Sequence, residues 1–434
     1  MTRDPDRRDG PCRAWALSAA LALSPTAAAA SEGVSFQSVQ RVAETLKLPD
    51  AHAQALFRSA LLDTGRQASA ADDGTIYVKT GDIPAEWLRD SSAQVAPYLF
   101  FAKDDPAVAA FLRGVILRQA RSLSRDPYAN AFNPDYSVWE EKFELDSLAY
   151  PITLSWTYWR VTGDTTAFTS DVAEGLASAL DVMAAEQDHG SAPRHYSHHE
   201  LQNNPAARTG MIWTGFRPSD DACVYNYLIP SEMMAVVALR ELAQLEREVL
   251  HDEGRAARAA RLAAEVDQGI KAYGVVKHPR RGEVYAYEVD GLGHALLMDD
   301  ANIPSLLSSP SFGYGSASDP VYQNTRRLVL SKDNPFFFSG KKGAGIGSPH
   351  TPPGMVWPLA LIAQAMTATD PEEKRKVENL LLASDPGDGR LHESYDVNNP
   401  RRNTRPDFGW PNSLFAQYAL VQYGGRAPLP VGAP

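Results

Sequence analysis

The sequence predicts a mainly α-helical (α/α)6 barrel, a toroid of six helical hairpins, and three observations carry that expectation. Long segments show helical periodicity, strand signals are few and short, and polar and aromatic residues collect in six loop segments spaced along the chain. With Asp90, Glu144, Asp220, Asp299, His350 and Glu393 as markers of those segments, the gaps are 54, 76, 79, 51 and 43 residues. Each gap can hold two helices of about 11–12 residues or more with their turns. One end of such a ring would gather all six loops into a single pocket. A solenoid is the competing all-helical architecture, but it needs a self-similar period of about 20–50 residues, and the chain has none.

In chain order, residues 1–30 read as a secretory signal. Four arginines precede the apolar stretch Ala14–Leu23, and small residues follow, ending in Ala27–Ala30. The apolar run is too short to span a membrane. The pair Arg7-Arg8 raises a twin-arginine export route, which the following Asp9-Gly10-Pro11 fits poorly. The expectation is an exported, periplasmic or secreted protein, with residues 31–434 as one catalytic-size domain. Helical periodicity then marks Asp105–Leu123, Asp171–Glu186, Ser231–Leu250, Ala256–Tyr273, Met355–Thr369 and Glu372–Ala383. In Ser231–Leu250, the stripe Leu239, Leu242, Leu245 and Val249 leaves Arg240, Glu241, Glu246 and Arg247 largely to the other side. Thr75–Lys79 and Glu283–Val289 are the best strand signals.

Composition narrows the function classes. The 434 residues are 44% hydrophobic, enough for a large core. Without residues 1–30, 38 basic and 50 acidic residues remain, a formal charge near −12. That argues against a nucleic-acid partner, which needs a concentrated Lys/Arg excess. No apolar stretch of 18 residues follows the leader, so no membrane partner is expected of the mature chain. Cys12 lies in the leader and only Cys223 remains, so an intrachain disulfide is excluded, and a lone thiol reads first as a small hydrophobe.

The loop segments carry the chemistry. In "TGDIPAEWLRDSSAQ" (80–94), Arg89 and Asp90 can together donate to and accept from vicinal hydroxyls, although Asp90-Ser-Ser also reads as a helix cap. In "YSVWEEKFELDSLAYP" (136–151), Glu144 stands between aromatics, with surface charge as the plainer reading. "GFRPSDDACVYNYLIPS" (215–231) sets Asp220 beside Asp221 near Trp213, Phe216, Tyr225 and Tyr227, either as a solvated turn or as a catalytic acid beside a ring-binding surface. The run His195-Tyr-Ser-His198-His199-Glu200 offers metal ligands without the spacing of a zinc motif, so it reads as a polar loop. "SGKKGAGIGSPH" lacks phosphate-loop order and reads as a tight turn presenting His350. "LHESYD…FGWPNS" supplies Glu393 and Trp410, and no GxSxG elbow supports acyl transfer. Paired donors and acceptors, ring-stacking aromatics and many carboxylates suit a sugar, and glycoside hydrolysis needs two carboxyl groups.

Six motifs taken in order, "GDIPAEWLRDS", "FELDS", "GFRPSDDA", "MDDANIPSLL", "HTPPGMVWPLA" and "HESYD…FGWPNS", closely resemble the exo-α-1,6-mannosidases of glycoside hydrolase family 125, the metal-independent α-mannosidases. The resemblance runs from about Gly33 to Tyr423. It implies a glucoamylase-like (α/α)6 barrel, inversion without metal or other cofactor, and an α-mannoside oligosaccharide as substrate. It implies that Asp220, or its neighbour Asp221, is the general acid and Glu393 the general base. An inverting pair stands roughly 6.5–9.5 Å apart. By the same resemblance Arg89 and Asp90 grip the terminal sugar, and substrate contact extends to Glu144, Asp221, Asn302, His350 and Trp410. Burial and a neighbouring carboxylate are expected to push the acid's pKa up. A glucoamylase-like hydrolase of another α-linked sugar, or a sugar-binding protein without catalysis, are the alternatives.

Overall fold

The computed structural model describes residues 33–432, which form one compact unit; the leader and Cys12 lie outside the described residues. In chain order the helices are α1 (Gln37–Thr45), α2 (Ala51–Gln67), α3 (Leu88–Val95), α4 (Leu99–Ala102), α5 (Pro106–Arg125), α6 (Leu145–Thr162) and α7 (Ser170–Ala185). They continue as α8 (Ile229–Glu248), α9 (Glu253–Gly269), α10 (Pro320–Val329), α11 (Pro358–Thr367), α12 (Pro371–Leu382) and α13 (Gly409–Gln422). Strands are two to six residues long and lie in six small antiparallel sheets in the connections.

Helix contacts close a ring in the order α3, α6, α8, the short 3₁₀ helix Ser309–Phe312, α11, α13 and back to α3. These are the inner elements. Packed against them are α5, α7, α9, α12 and α2, with α10 following the 3₁₀ helix in sequence, and the toroid closes by packing α2 near the N-terminus on α13 near the C-terminus. The six-hairpin expectation holds with one departure. The stretch between Asp299 and His350 has a single four-residue 3₁₀ turn where the other hairpins have a full inner helix.

Local chemistry accounts for the outer helices. Asp50, Asp105, Asp252, Asp319 and Asp370 each sit at an N-cap and accept from backbone N–H groups of the first turn of α2, α5, α9, α10 and α12. The inner α3, α6, α8, α11 and α13 start from Trp87, Glu144, Leu228, Trp357 and Phe408, none of which caps through its side chain.

The polar side of α8 is a solvent face only in part, with Arg247 exposed. Glu241 and Glu246 are both buried, because α6 and α9 cover the helix from two sides. Glu241 accepts from Thr153 Oγ1 at 2.8 Å and from the Gly432 N–H at 3.0 Å, which fastens the C-terminal segment to the ring. The strand predicted over 283–289 is broken at Ala286-Tyr287 into Gly282–Tyr285 and Glu288–Val289, which join different sheets.

Candidate active site

The loops leading into the inner helices meet at a small cavity lined by Trp87, Arg89, Asp90, Ser219, Asp220, Asn302, His350, Trp357, Glu393, Arg405, Phe408 and Trp410, among others. The first turns of α3 and α13 deliver Arg89, Asp90 and Trp410 directly.

The tight 217–221 turn sets the orientation of the adjacent aspartates. The Arg217 N–H donates to the Asp221 carbonyl at 2.9 Å, the Asp220 N–H donates back to the Arg217 carbonyl at 2.9 Å, and Asp220 has φ +64°. Asp tolerates this left-handed backbone better than most residues. The turn is anchored by a buried ion pair, Arg217 Nε to Glu288 Oε1 at 2.6 Å, while Glu288 Oε2 accepts from the N–H groups of Val224 and Tyr225. Asp220 then faces the cavity. Asp221 turns the other way, accepting from Ser219 Oγ at 2.9 Å and lying 3.6 Å from His350 Nδ1. Asp221 is absent from the cavity wall.

Arg89 is the hub of the acidic side. Its side chain is 3% exposed, and Nη1 donates to Glu144 Oε2 at 2.5 Å and Asp146 Oδ2 at 3.2 Å. Nη2 donates to Asp220 Oδ1 at 3.1 Å, and Nε lies 3.4 Å from Asp90 Oδ2. Three hydrogen bonds from Nη1 and Nη2 go to carboxylates while Nε has no hydrogen-bond partner among the described residues, so Arg89 holds the acids together from a position on the cavity wall. The guanidinium also lies 5.5 Å from the Trp410 ring centre. Glu144 is fully buried behind Arg89 and does not line the cavity. The structure therefore places it in support of the wall, where the sequence suggested sugar contact.

The protonation pattern follows from this crowding. Burial pushes Asp90 up to about 6 and Glu144 well above the usual carboxylate range. Asp220 runs against the expected rise. Burial alone would raise it, but Arg89 and a hydrogen bond with Glu144 hold its carboxyl below the ordinary value. The carboxyl that shares Arg89 and Asn130 with Asp220 is Glu144, 76 residues earlier in the chain, and not the adjacent Asp221.

Opposite in sequence, Glu393 is buried at the cavity wall, with Arg405 Nη1 3.5 Å from its Oε1. Arg405 is itself fixed by Asp82, at 2.8 Å, and by the Phe408 ring, 4.6 Å from its guanidinium carbon. His350 is raised to about 9 by the Asp221 carboxylate, so it is an imidazolium at neutral pH. Asn302 is held by Asp300, whose Oδ1 accepts from both its N–H and its Nδ2. Asp299 is structural, with its two oxygens accepting from the N–H groups of Leu306 and Leu307.

Of the residues singled out in the sequence, Arg89, Asp90, Asp220, Asn302, His350, Glu393 and Trp410 converge on one cavity, while Glu144 stands behind its wall and Asp221, partly exposed, lies beside His350 outside the lining. Trp213, suggested as a sugar platform, is core: it stacks on His189 at 3.6 Å and on Phe143 at 6.2 Å. The glycine-rich segment is a hairpin, Phe337–Ser339 with Ala344–Ile346. Gly347 follows it in close approach, since a Cβ there would sit 2.1 Å from the Met355 carbonyl oxygen. His198, His199 and Glu200 bring ligand atoms within 4.8 Å of one another, away from the cavity wall, and Glu200 is already 3.6 Å from Lys142 Nζ.

Sequence reasoning missed Asn130, Lys142 and Arg405. Asn130 Nδ2 lies 2.9 Å from Glu140 Oε2, 3.3 Å from Glu144 Oε1 and 3.5 Å from Asp220 Oδ1, and Lys142 Nζ donates to the Asp220 carbonyl at 2.9 Å. Arg405 lay within a segment already marked as polar. Asn130 carried no local signal, because the pairing of residues 131–132 with 86–87 and 138–140 brings it to the site.

Comparison with known proteins agrees with this arrangement. The profile of the family described as metal-independent alpha-mannosidase (GH125) matches residues 50–137 and 133–420. The meiotically up-regulated gene 157 protein of Schizosaccharomyces pombe is 39% identical, over 88% of this chain and 85% of its own length. A metal-independent α-mannosidase of Streptococcus pneumoniae, solved in a non-productive complex with α-1,6-mannobiose, superposes with a TM-score of 0.83 and 39% identity, over 86% of this chain and 95% of its own. A bacterial glucoamylase bound to acarbose shares the fold at a TM-score of 0.62 and 14% identity, over 89% of this chain and 58% of its own. With the family profile running from near the start of the described residues to α13, the chain belongs to the metal-independent α-mannosidases of glycoside hydrolase family 125, enzymes that hydrolyse α-mannosides.

Proposed function

We propose that this α-mannosidase is exo-acting and inverting, and that it releases non-reducing terminal α-1,6-linked mannose from mannan or N-glycan fragments. The observation that carries the reading is that Asp220 and Glu393 line the same small cavity. The α-1,6-mannobiose bound by the pneumococcal relative supports the linkage.

Asp220 gives its proton to the glycosidic oxygen as the bond to the anomeric carbon breaks. Glu393 takes a proton from the water attacking the opposite face, so the sugar leaves as the β anomer. Asp90 and Asn302 supply polar groups for ring hydroxyls, the His350 imidazolium supplies a donor, and Trp410 offers a ring face at the wall. The leader places the substrate outside the cytoplasm in this reading, and N-terminal sequencing of secreted protein checks that.

Incubating purified protein with α-1,6-, α-1,2- and α-1,3-mannobiose, with and without chelator, and following the released anomer by NMR tests the reading. β-Mannose from the 1,6 isomer alone, unaffected by chelator, is expected. Initial release of α-mannose sinks inversion, and no release from any isomer favours a binding protein. Glu393→Gln should lower kcat by about 10²–10⁴-fold while sugar binding survives.

A further inference from the structure

Asp220 faces a difficulty as an acid. Its carboxyl lies against the Arg89 guanidinium, 3.1 Å from Nη2, an arrangement that favours the carboxylate over the protonated form that catalysis requires. The answer lies behind the cavity wall. Glu144 is held on the other guanidinium nitrogen at 2.5 Å, and Asn130 Nδ2 lies between the two carboxyls at 3.3 and 3.5 Å, so that Arg89 and Asn130 hold the two carboxyls side by side. Two carboxyl groups set side by side can bond to each other only through a shared proton.

The local charge balance requires the same. The charged groups facing the pair are Arg89 and Asp90 from α3, Asp146 from α6, Glu140 and Lys142 from the segment before α6, and His350 from the fifth loop. Tyr196 and Cys223, both neutral, complete the shell. Fully ionised, Glu144, Asp220, Asp146 and Asp90 would place four negative charges on one buried guanidinium. Lys142 reaches only the Asp220 backbone carbonyl, and it is shared with Glu140 and Glu200.

We propose that Glu144 is a positioning residue for the acid, holding one proton in a shared hydrogen bond with Asp220 that Asp220 delivers to the glycosidic oxygen. The inference rests on Asp220 being the general acid. In the empty site the proton resides on Glu144, whose burial disfavours its charge, while Arg89 keeps Asp220 ionised. When a glycosidic oxygen reaches Asp220, that oxygen takes a proton from Asp220 Oδ as the Glu144 proton moves across. The pair then holds none, Glu393 holds the proton taken from water, and exchange with solvent restores both. The two carboxyls titrate as one unit.

The test is the pH profile of kcat/KM on α-1,6-mannobiose for wild type, Glu144→Gln and Glu144→Asp, with an aryl α-mannoside bearing a dinitrophenolate leaving group as control. Glu144→Gln removes the second negative charge and can donate to Asp220, so Asp220 ionises more readily. The alkaline limb should then move down by at least about one pH unit. Glu144→Asp should return it part of the way, and the aryl substrate, which needs no acid, should show little change. A lowered rate with an unmoved limb overturns the proposal. Asp220→Asn separates this from the underlying reading. If it spares mannobiose hydrolysis, the acid assignment fails. If it abolishes mannobiose hydrolysis but spares the aryl substrate, and the Glu144→Gln limb stays in place, only the shared proton fails. Should Glu144→Gln not fold, ¹³C carboxyl titration of the wild-type protein decides. Glu144 and Asp220 moving in the same pH step is expected, and independent steps overturn it.

Discussion

The inner and outer rings of the barrel obey different rules. Five outer helices begin with an aspartate that caps them, whereas five inner helices begin with Trp87, Glu144, Leu228, Trp357 and Phe408, which do not. The clearest case is Glu144, which occupies the cap position of α6 and sends its carboxyl instead to Arg89, Asn130 and Ser147. Where a helix start borders the cavity, the side chain that would cap it is used for the site. Five of the six outer helices are thus capped by the residue next to them in sequence, α7 with its uncapped Thr169 being the exception, while the inner Glu144 bonds to residues brought from other loops.

The largest effect expected from that contrast comes from removing the hub. Arg89→Met leaves Glu144, Asp146, Asp90 and Asp220 without their shared cation, and breaking a buried charge network costs about 3–5 kcal/mol. Urea unfolding at pH 7 should show that loss. Part of it should return at pH 5, where protonation of the stranded carboxyls relieves their repulsion. A variant as stable as wild type at pH 7 would mean that the inner ring does not depend on this network.

A smaller effect is expected in the outer ring. Asp252→Ala removes the acceptor for the Arg255 N–H, 2.9 Å away, and Asp105→Ala removes the acceptor for Ala107 N–H, also 2.9 Å away. Each should cost about 1 kcal/mol of stability by thermal or urea unfolding. kcat on mannobiose at 25 °C should stay within twofold, because neither residue touches the cavity. A large loss of activity in either variant would break the division between the rings.

The same division explains part of what could be read from the chain. The helix periods over 105–123, 171–186, 256–273 and 372–383 match the outer α5, α7, α9 and α12 to within a few residues, as an outer helix with one face in water carries an apolar stripe. Those over 231–250 and 355–369 match the inner α8 and α11, so legibility does not follow the rings strictly. The inner α13 is mostly buried around its circumference and carries almost no periodic signal, and α6 carries little. The site followed the same pattern. The motifs exposed Arg89, Asp90, Asp220, Asn302, His350, Glu393 and Trp410 as polar or aromatic residues in loops, and these do line the cavity. They did not reveal that Glu144 stands behind Arg89 or that Asn130 joins it to Asp220, because strand pairing and burial decide that.

The smallest effect belongs to His350, on the rim where the cavity meets solvent. Its side chain lies 3.6 Å from Asp221 and remains 38% exposed, so water screens the pair and its contribution should stay below about 1 kcal/mol. The sign follows from the direction of the shift. The folded imidazole titrates near 9 against an ordinary 6.5, so the folded state binds the proton more tightly than the unfolded chain. The stabilisation is therefore full below pH about 6.5, declines as pH rises toward 9, and is gone above it. His350→Gln should be less stable than wild type at pH 6, and the gap in Tm should close by pH 10. A gap independent of pH would show that His350 contributes by packing alone. Asp221→Asn should reproduce the closing gap, since it removes the charge that holds the proton on His350. That outcome would give the second carboxylate of the Asp220-Asp221 pair a function separate from proton donation: keeping a charged donor at the cavity mouth while its neighbour turns inward.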